Sequence, residues 1–185
     1  MSKGKIVAIF LSVVTFLAVA TNYTFAQTNP TVSPSSKAQK YCTRAVATVD
    51  KILSQSSSRL TNRQKYINDR KKNIQDRINT LQSKSGKVDT LQTDANQFFS
   101  SLEKWYSDYQ KYLSLIQASQ SLTCGSSDGQ FAQTIQSARA QLKIVNQDSS
   151  NLKSFYQNTL NQDFANARLS IKNSKGLKNG TNKTK

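Results

Sequence analysis

The residues of this sequence that could carry chemistry are its two cysteines and its many bases. The chain has 185 residues, with 26 Lys and Arg against 10 Asp and Glu, and it contains no histidine. Catalysis by proton transfer or nucleophilic attack needs paired carboxyl groups or a nucleophile beside a base, and the acids here are scattered singly. No Gly-rich phosphate loop occurs. The sequence therefore predicts a protein that is not an enzyme and holds no cofactor or metal, since two isolated cysteines without histidine make a poor metal site.

The bases are in excess even outside the N-terminal 26 residues. Lys3 and Lys5 lie in that segment, so the rest of the chain has 24 bases against the same 10 acids, a net charge of +14. Such a charge favours an acidic partner or surface. The alternative is that it only keeps an exported protein soluble. Two groups of bases are candidate polyanion contacts: Arg70, Lys71 and Lys72, and the C-terminal group Arg168, Lys172, Lys175, Lys178, Lys183 and Lys185.

The C-terminal group of bases is the stronger candidate. No acid follows Asp163, whereas Asp69 and Asp76 lie among the bases of the other group. A basic segment of this kind can contact an anionic envelope polymer or a membrane surface by releasing counterions. It has no nucleic-acid-binding motif or interleaved aromatic residues, so sequence-specific nucleic acid is not expected.

The N-terminal 26 residues are typical of a secretory signal peptide. Lys3 and Lys5 precede an apolar run from residue 6 to residue 20, and residues 24–26, Thr-Phe-Ala, offer a small-residue cleavage site. An uncleaved membrane anchor is the alternative. We expect an exported, extracytoplasmic protein, whether periplasmic, attached to the cell surface or secreted.

A long amphipathic helix from residue 88 to residue 121 must position these groups. Its apolar residues alternate in steps of three and four, which is the pattern of a coiled coil. They are Val88, Leu91, Ala95, Phe98, Leu102, Trp105, Tyr109, Tyr112 and Ile116. A second row, Phe99, Tyr106 and Leu113, widens the stripe, so the helix should lie between two neighbours. Core packing explains these aromatic residues better than a ligand-binding cluster does.

Two further helices complete the predicted domain of residues 37–172. The first, 37–82, has an apolar residue at every seventh position from Val46 to Leu81, and we expect it to pack less tightly toward its far end. The third, 130–172, changes its apolar spacing after Tyr156, which predicts local unwinding or fraying. The flanking segments are a Pro/Ser linker (27–36) and a disordered basic tail (173–185).

The helix lengths predict a hairpin closed by a disulfide. Gly86 suits the left-handed position that ends a helix. At about 1.5 Å per residue, the first helix spans about 58 Å from Cys42 to Leu81, and the second about 54 Å from Val88 to Cys124. The two sulfurs are then level, and an exported protein offers an oxidising setting for a Cys42–Cys124 bond.

The same register predicts ion pairs between the first two helices. Arg63 should lie near Glu103 and Asp108, and Arg77 near Asp89 and Asp94. Together, these patterns predict an all-α fold: an elongated antiparallel three-helix bundle or coiled coil with one disulfide.

Several segments resemble those of uncharacterised exported helical proteins of small-genome candidate-phylum bacteria. The similarity covers about residues 38–160. It lies in Tyr41-Cys42-Thr43-Arg44, Trp105-Tyr106-Ser107-Asp108-Tyr109, Thr123-Cys124-Gly125 and Phe155-Tyr156. The chain is more loosely similar to basic periplasmic chaperones of the OmpH/Skp type, whose strand-rich trimerisation body has no counterpart here.

These features predict a binding protein. We expect a non-catalytic exported scaffold of the cell envelope that contacts an anionic polymer or a partner helix. A holdase chaperone that shelters unfolded exported clients, as the looser resemblance implies, is the alternative. Aggregation protection of an unfolded client would distinguish the second function from the first.

Overall fold

The computed structural model describes residues 36–84, 86–122, 124 and 129–180. The regular secondary structure of these residues is entirely helical, and no strand occurs among them. The elements are α1 (Ser36–Ser54), α2 (Ser56–Gln82), α3 (Asp89–Gln120), α4 (Gln130–Phe155), a π-helical turn (Tyr156–Leu160) and α5 (Asn161–Gly180). The predicted signal peptide, 1–26, and all of the predicted linker, 27–36, except its last residue lie outside the described residues.

The predicted helix 37–82 is divided into α1 and α2 by a turn at Gln55. Serines flank this turn, and the hydroxyls of Ser54 and Ser56 donate hydrogen bonds to the carbonyl oxygens of Lys51 and Leu53, at 3.0 and 2.7 Å. Short hydroxyl side chains compete in this way with the hydrogen bonds of the helix backbone. At the turn, the backbone N–H of Gln55 donates to the carbonyl oxygen of Ile52, three residues earlier, at 3.3 Å. The apolar spacing does not reveal this break.

The predicted apolar stripe of α3 is confirmed. All nine residues of the stripe are buried, from Val88 at 6% exposed to Ile116 at 5%, and Leu113 of the second row is buried as well. Helix α3 contacts α1 and α2 on the one hand and α4, the π-helical turn and α5 on the other. It therefore lies between its two neighbours, as its wide apolar arc predicts.

Residues of α1 and α2 contact α3 and Cys124 in reverse chain order. Lys71 pairs with Glu103, and further along α2 the amides of Gln75 and Gln92 exchange hydrogen bonds of 3.0 and 3.2 Å. At the other end of α3, the Cα atoms of Cys42 and Cys124 are 5.6 Å apart, and the two residues form a disulfide. These contacts follow the predicted register, so the expectation that the two cysteines lie level is confirmed.

The segment formed by α1 and α2 packs more tightly toward its C-terminal end, whereas the sequence predicted looser packing there. Val46 is 40% exposed, while Ile67 and Ile74 are 0% and 1% exposed. Helix α2 contacts α5 as well as α3, but α1 contacts only α2 and α3 among the described elements. Helix α5 is thus an additional neighbour of α2 that α1 does not have.

The change of spacing at Tyr156 coincides with the π-helical turn Tyr156–Leu160. The expected local unwinding is thereby confirmed, although its π-helical form was not foreseen. A π-helical turn holds an additional residue and so shifts the phase of the side chains that follow. The apolar residues on both sides of the turn face the core: Leu152 is buried before it, Leu160 at its last position and Phe164 after it.

Helix α5 extends to Gly180, beyond the predicted end at residue 172. Residues 173–180, which were predicted to be disordered, therefore belong to a helix, while residues 181–185 lie outside the described part of the chain. No proline interrupts this segment. Once a helix is nucleated, each added residue contributes another backbone hydrogen bond, which explains the continuation.

Two glycines mark the helix connections for different reasons. Gly129 precedes α4 with a φ of 80°, in the left-handed region. Gly86 does not adopt the predicted left-handed conformation; a Cβ atom there would lie 2.9 Å from the carbonyl oxygen of Leu81 and 3.1 Å from Cδ1 of Ile171. Glycine is therefore required at residue 86 because a Cβ atom would approach the carbonyl oxygen of Leu81 too closely, while Ile171 of α5 packs against the same position.

Candidate anion-binding site

The arginines of α2 that were assigned to ion pairs instead lie against aromatic rings. The guanidinium carbon of Arg63 is 3.8 Å from the ring centroid of Tyr109 and 4.9 Å from that of Trp105, both on α3. Burial of the guanidinium lowers the pKa of Arg63, while its contacts with Tyr109 oppose that shift. The flat guanidinium fills a core-facing position and keeps its charge over the negative face of a ring.

The same arrangement recurs seven and fourteen residues further along α2. The guanidinium carbon of Arg70 lies 5.4 Å from the ring centroid of Tyr66 and 5.5 Å from that of Tyr156. That of Arg77 lies 3.7 Å from the ring centroid of Phe164. We call Arg63, Arg70 and Arg77, with these rings, the arginine–aromatic row.

The predicted ion pairs of this row are wrong. Within the described part of the chain, Arg63 pairs with neither Glu103 nor Asp108, and Arg77 with neither Asp89 nor Asp94. Glu103 instead forms an ion pair with Lys71. The reason is that residues 63 and 77 face core-lining rings, whereas a lysine on the flank of α2 reaches the acid on the flank of α3.

Asp108 is a buried carboxylate held by bases of its own helix. Its oxygens accept hydrogen bonds from Lys104 at 2.8 Å and Lys111 at 3.2 Å, and the side chain of Gln141 donates a third at 3.1 Å. The bond from Lys104, supported by that from Lys111, holds the pKa of Asp108 at about 2 despite its burial. Lys104 also bonds Asp148 at 2.6 Å and so links α3 to α4. This cluster is a structural ion network.

The candidate contact Arg70, Lys71 and Lys72 is largely occupied by neighbours. Arg70 is half-buried and donates to the hydroxyl of Tyr66 at 3.1 Å, and Lys71 pairs with Glu103. The hydrogen bond from Lys72 to Asp76, at 2.8 Å, raises the pKa of Lys72. The positive field of these three bases is therefore partly cancelled within the fold.

Four exposed bases lie at the end of the molecule where α5 meets the α2–α3 turn: Lys84, Lys87, Arg168 and Lys172. No described carboxylate lies within ion-pair distance of any of them. We call this set the basic end. The sequence predicted Arg168 and Lys172 as anion contacts, but not Lys84 and Lys87. The side chains of Lys175 and Lys178, and all of Lys183 and Lys185, lie outside the described residues.

A groove of about 360 Å³ lies at the basic end, between α2 and α5. Its apolar surface comes from Leu81, Phe164 and Ile171, and its remaining lining residues are Thr80 and the bases Arg77, Lys84 and Arg168. Among the described residues, no carboxylate lines it. The sequence alone does not reveal the groove, because its two walls are about 90 residues apart in the chain. The available signal was the i, i+4 pair Phe164 and Arg168.

The aromatic residues of α3 belong to the core, as predicted. Phe98, Trp105, Tyr109 and Tyr112 are buried, and Phe98 stacks on Phe155 with ring centroids 6.3 Å apart. Burial raises the pKa of Tyr112. These rings stabilise the packing of α3 and leave no described aromatic cluster open for a ligand on that helix.

Comparison with known proteins adds no family assignment: no protein-family model, curated protein or solved structure matches this chain. The suspected relationship to exported helical proteins stays a prediction. In the described residues, no three metal-ligating side chains come together, and no helix is long and apolar enough to cross a membrane. A functional proposal for this chain thus depends on its own residues.

Proposed function

We propose that this protein is a non-catalytic, exported binding protein of the cell envelope that contacts anionic polymers through its basic end. Its architecture would be an elongated antiparallel three-helix bundle, with α1 and α2 as the first helix and α4 and α5 as the third. The bundle would serve as a scaffold that holds the bases at one end. The observation that carries the proposal is the set Lys84, Lys87, Arg168 and Lys172, which is exposed and has no described acidic partner.

Charge distribution supports a polymer ligand. Several bases of the central part are engaged: Arg63 with rings, Lys71 with Glu103 and Lys104 with two carboxylates. Arg139, Lys143 and Lys153 on α4 are exposed and have no described ion pair, so they provide a comparison surface of equal charge. Bases at the basic end remain available, and the helix that carries two of them continues into a segment rich in lysine. Closely spaced bases displace the counterions of a polyanion, so binding should be weak, insensitive to polymer sequence and strongly dependent on salt.

Burial also favours polymer binding over a holdase function. The wide apolar stripe of α3 is enclosed. In the described part of the chain, the large apolar residues that are exposed are distributed over three helices: Tyr41, Val46, Ile144 and Leu169. A holdase needs a contiguous apolar surface for unfolded clients. The disulfide is consistent with export to an oxidising compartment.

Three triple variants of equal charge test the proposal. Each replaces two lysines and one arginine by glutamine: Lys84, Lys87 and Arg168 at the basic end; Arg70, Lys71 and Lys72 on α2; and Arg139, Lys143 and Lys153 on the exposed face of α4. Binding to a teichoic-acid-like polymer is measured at two salt concentrations, with DNA and anionic vesicles as comparison ligands.

The variant at the basic end should lose most of the affinity, and the α4 variant should lose little beyond the general effect of net charge. Deleting residues 173–185 removes four further bases and should also weaken binding. An equal or greater loss of affinity in the α2 variant would show that the polymer contacts α2 instead. Absence of binding by the intact protein at low salt would refute the polymer proposal.

A further inference from the structure

The groove at the basic end combines an apolar surface with a cationic rim. Leu81 and Phe164 are buried at its base, being 9% and 2% exposed, and Ile171 borders it. Two exposed bases also line the groove: Lys84 in the α2–α3 turn and Arg168 on α5. Simple polymer binding by counterion release needs neither concavity nor an apolar floor. This groove therefore has features that the proposed function does not use.

The walls of the groove are fixed by contacts that do not involve its exposed bases. The backbone N–H of Lys87 donates to the hydroxyl of Ser170 at 3.0 Å, and Ile171 packs directly over Gly86. The guanidinium of Arg77 is stacked on Phe164. A site that is already ordered loses less entropy on binding, and its volume lies in the range of small-molecule sites.

From this arrangement we propose that the groove binds a single-chain anionic amphiphile as a monomer. Its alkyl chain lies along Ile171 and the exposed edge of Leu81, and its phosphate or carboxylate head accepts hydrogen bonds from Lys84 and Arg168. Charge complementarity selects the anion, because three bases and no acid line the groove. The apolar floor selects a ligand with an alkyl chain over a bare phosphate. This goes beyond the proposed function, because it assigns a stoichiometric site for a small ligand.

Isothermal titration calorimetry with dodecyl phosphate, below its micelle concentration, tests the site. We expect one molecule bound per chain, weaker binding of inorganic phosphate, and no binding of dodecyltrimethylammonium, which has the same chain and the opposite charge. Binding of anionic phospholipid vesicles without binding of the monomer would show a membrane surface as the partner instead and would overturn the proposal.

Two pairs of variants separate the roles of charge and shape. The double variant Lys84→Gln/Arg168→Gln should weaken binding by about tenfold or more, while Arg139→Gln/Lys143→Gln, with the same loss of charge on α4, should not. For shape, Thr80→Phe fills the groove and leaves every base in place. Its control is Thr93→Phe, because both threonines are exposed and donate to the carbonyl oxygen of an aspartate four residues earlier, at 2.8 and 3.0 Å.

The outcomes distinguish the groove from the polymer contact. Thr80→Phe should no longer bind dodecyl phosphate but should still bind the teichoic-acid-like polymer, and its circular-dichroism melt should be unchanged. The groove would be refuted as a binding site if the intact protein failed to bind dodecyl phosphate, even if the polymer binds. It would also be refuted if Thr80→Phe and Thr93→Phe lost equal affinity for dodecyl phosphate. Binding of dodecyl phosphate without binding of the polymer would refute the proposed function alone.

Discussion

The guanidinium carbon of Arg77 on α2 lies 3.7 Å from the ring centroid of Phe164 on α5. The hydroxyl of Tyr156 lies 3.5 Å from an Nη atom of the same guanidinium. This contact joins the first and third parts of the chain directly. The arginine–aromatic row extends it along α2, so arginines for which the sequence suggested anionic partners contribute to the packing of the fold instead.

The row gives a prediction about arginine chemistry. We expect Arg63→Lys to destabilise the protein by about 1 kcal/mol, because an ammonium group cannot stack flat on Tyr109 and Trp105. Urea unfolding of both proteins measures the difference. Arg139→Lys on the exposed face of α4 is the matched control and should change the unfolding free energy little. Equal values for Arg63→Lys and wild type would show that the row contributes only charge.

Much of the fold follows from the sequence where apolar residues recur without interruption. The nine stripe residues of α3 predict its length, and the second row beside them predicts its central position, since a stripe of this width needs neighbours on both sides. The break at Gln55 was not predictable from spacing, because apolar residues continue on both sides of it. It is visible only in the backbone, where the N–H of Gln55 donates to the carbonyl oxygen of Ile52.

The candidate site was less predictable than the helices. Arg168 and Lys172 could be selected from the sequence because no acid follows Asp163. Their neighbours Lys84 and Lys87 could not, since they reach the same end only when α5 packs against the α2–α3 turn. Similarly, charge pattern alone suggested acids as partners of Arg63, and only the packing of α3 shows that an aromatic ring is closer.

The disulfide gives a second prediction. The bond between Cys42 and Cys124 spans a sequence separation of 82 residues. Cross-linking across a loop of this size restricts the unfolded chain and contributes about 4 kcal/mol in the loop-entropy model. The double variant Cys42→Ser/Cys124→Ser should lose stability of this order in denaturant unfolding. Non-reducing peptide mapping of protein isolated from its own compartment should recover the linked peptides, and two free thiols there would contradict the prediction.

Leu102 provides a test of the enclosure of α3. It is 2% exposed and lies near the middle of that helix. We expect Leu102→Ala to cost about 2–5 kcal/mol, because it removes buried methyl groups and leaves a cavity. Gln110→Ala, at an exposed position of the same helix, is the control. A similar thermal midpoint for Leu102→Ala and the wild type would mean that α3 is open on one side in solution.

Asp108 gives the last prediction, a dependence of stability on pH. Hydrogen bonds from Lys104 and Lys111 lower the pKa of Asp108 from 3.8 to about 2. A carboxyl group whose pKa falls on folding stabilises the folded state in its charged form. This stabilisation should be complete above about pH 4 and disappear as the pH falls toward about 2.

Unfolding free energies of wild type and Asp108→Asn, measured across this range, test that linkage. The asparagine variant should be less stable near neutral pH, and the difference should shrink on acidification because the wild-type carboxyl group becomes protonated. As a second measurement, Lys104→Gln should raise the pKa of Asp108 in a carboxyl-carbon NMR titration, since it removes the strongest hydrogen bond to the carboxylate. A difference that stays constant down to about pH 2 would show that the charge of Asp108 does not stabilise the fold.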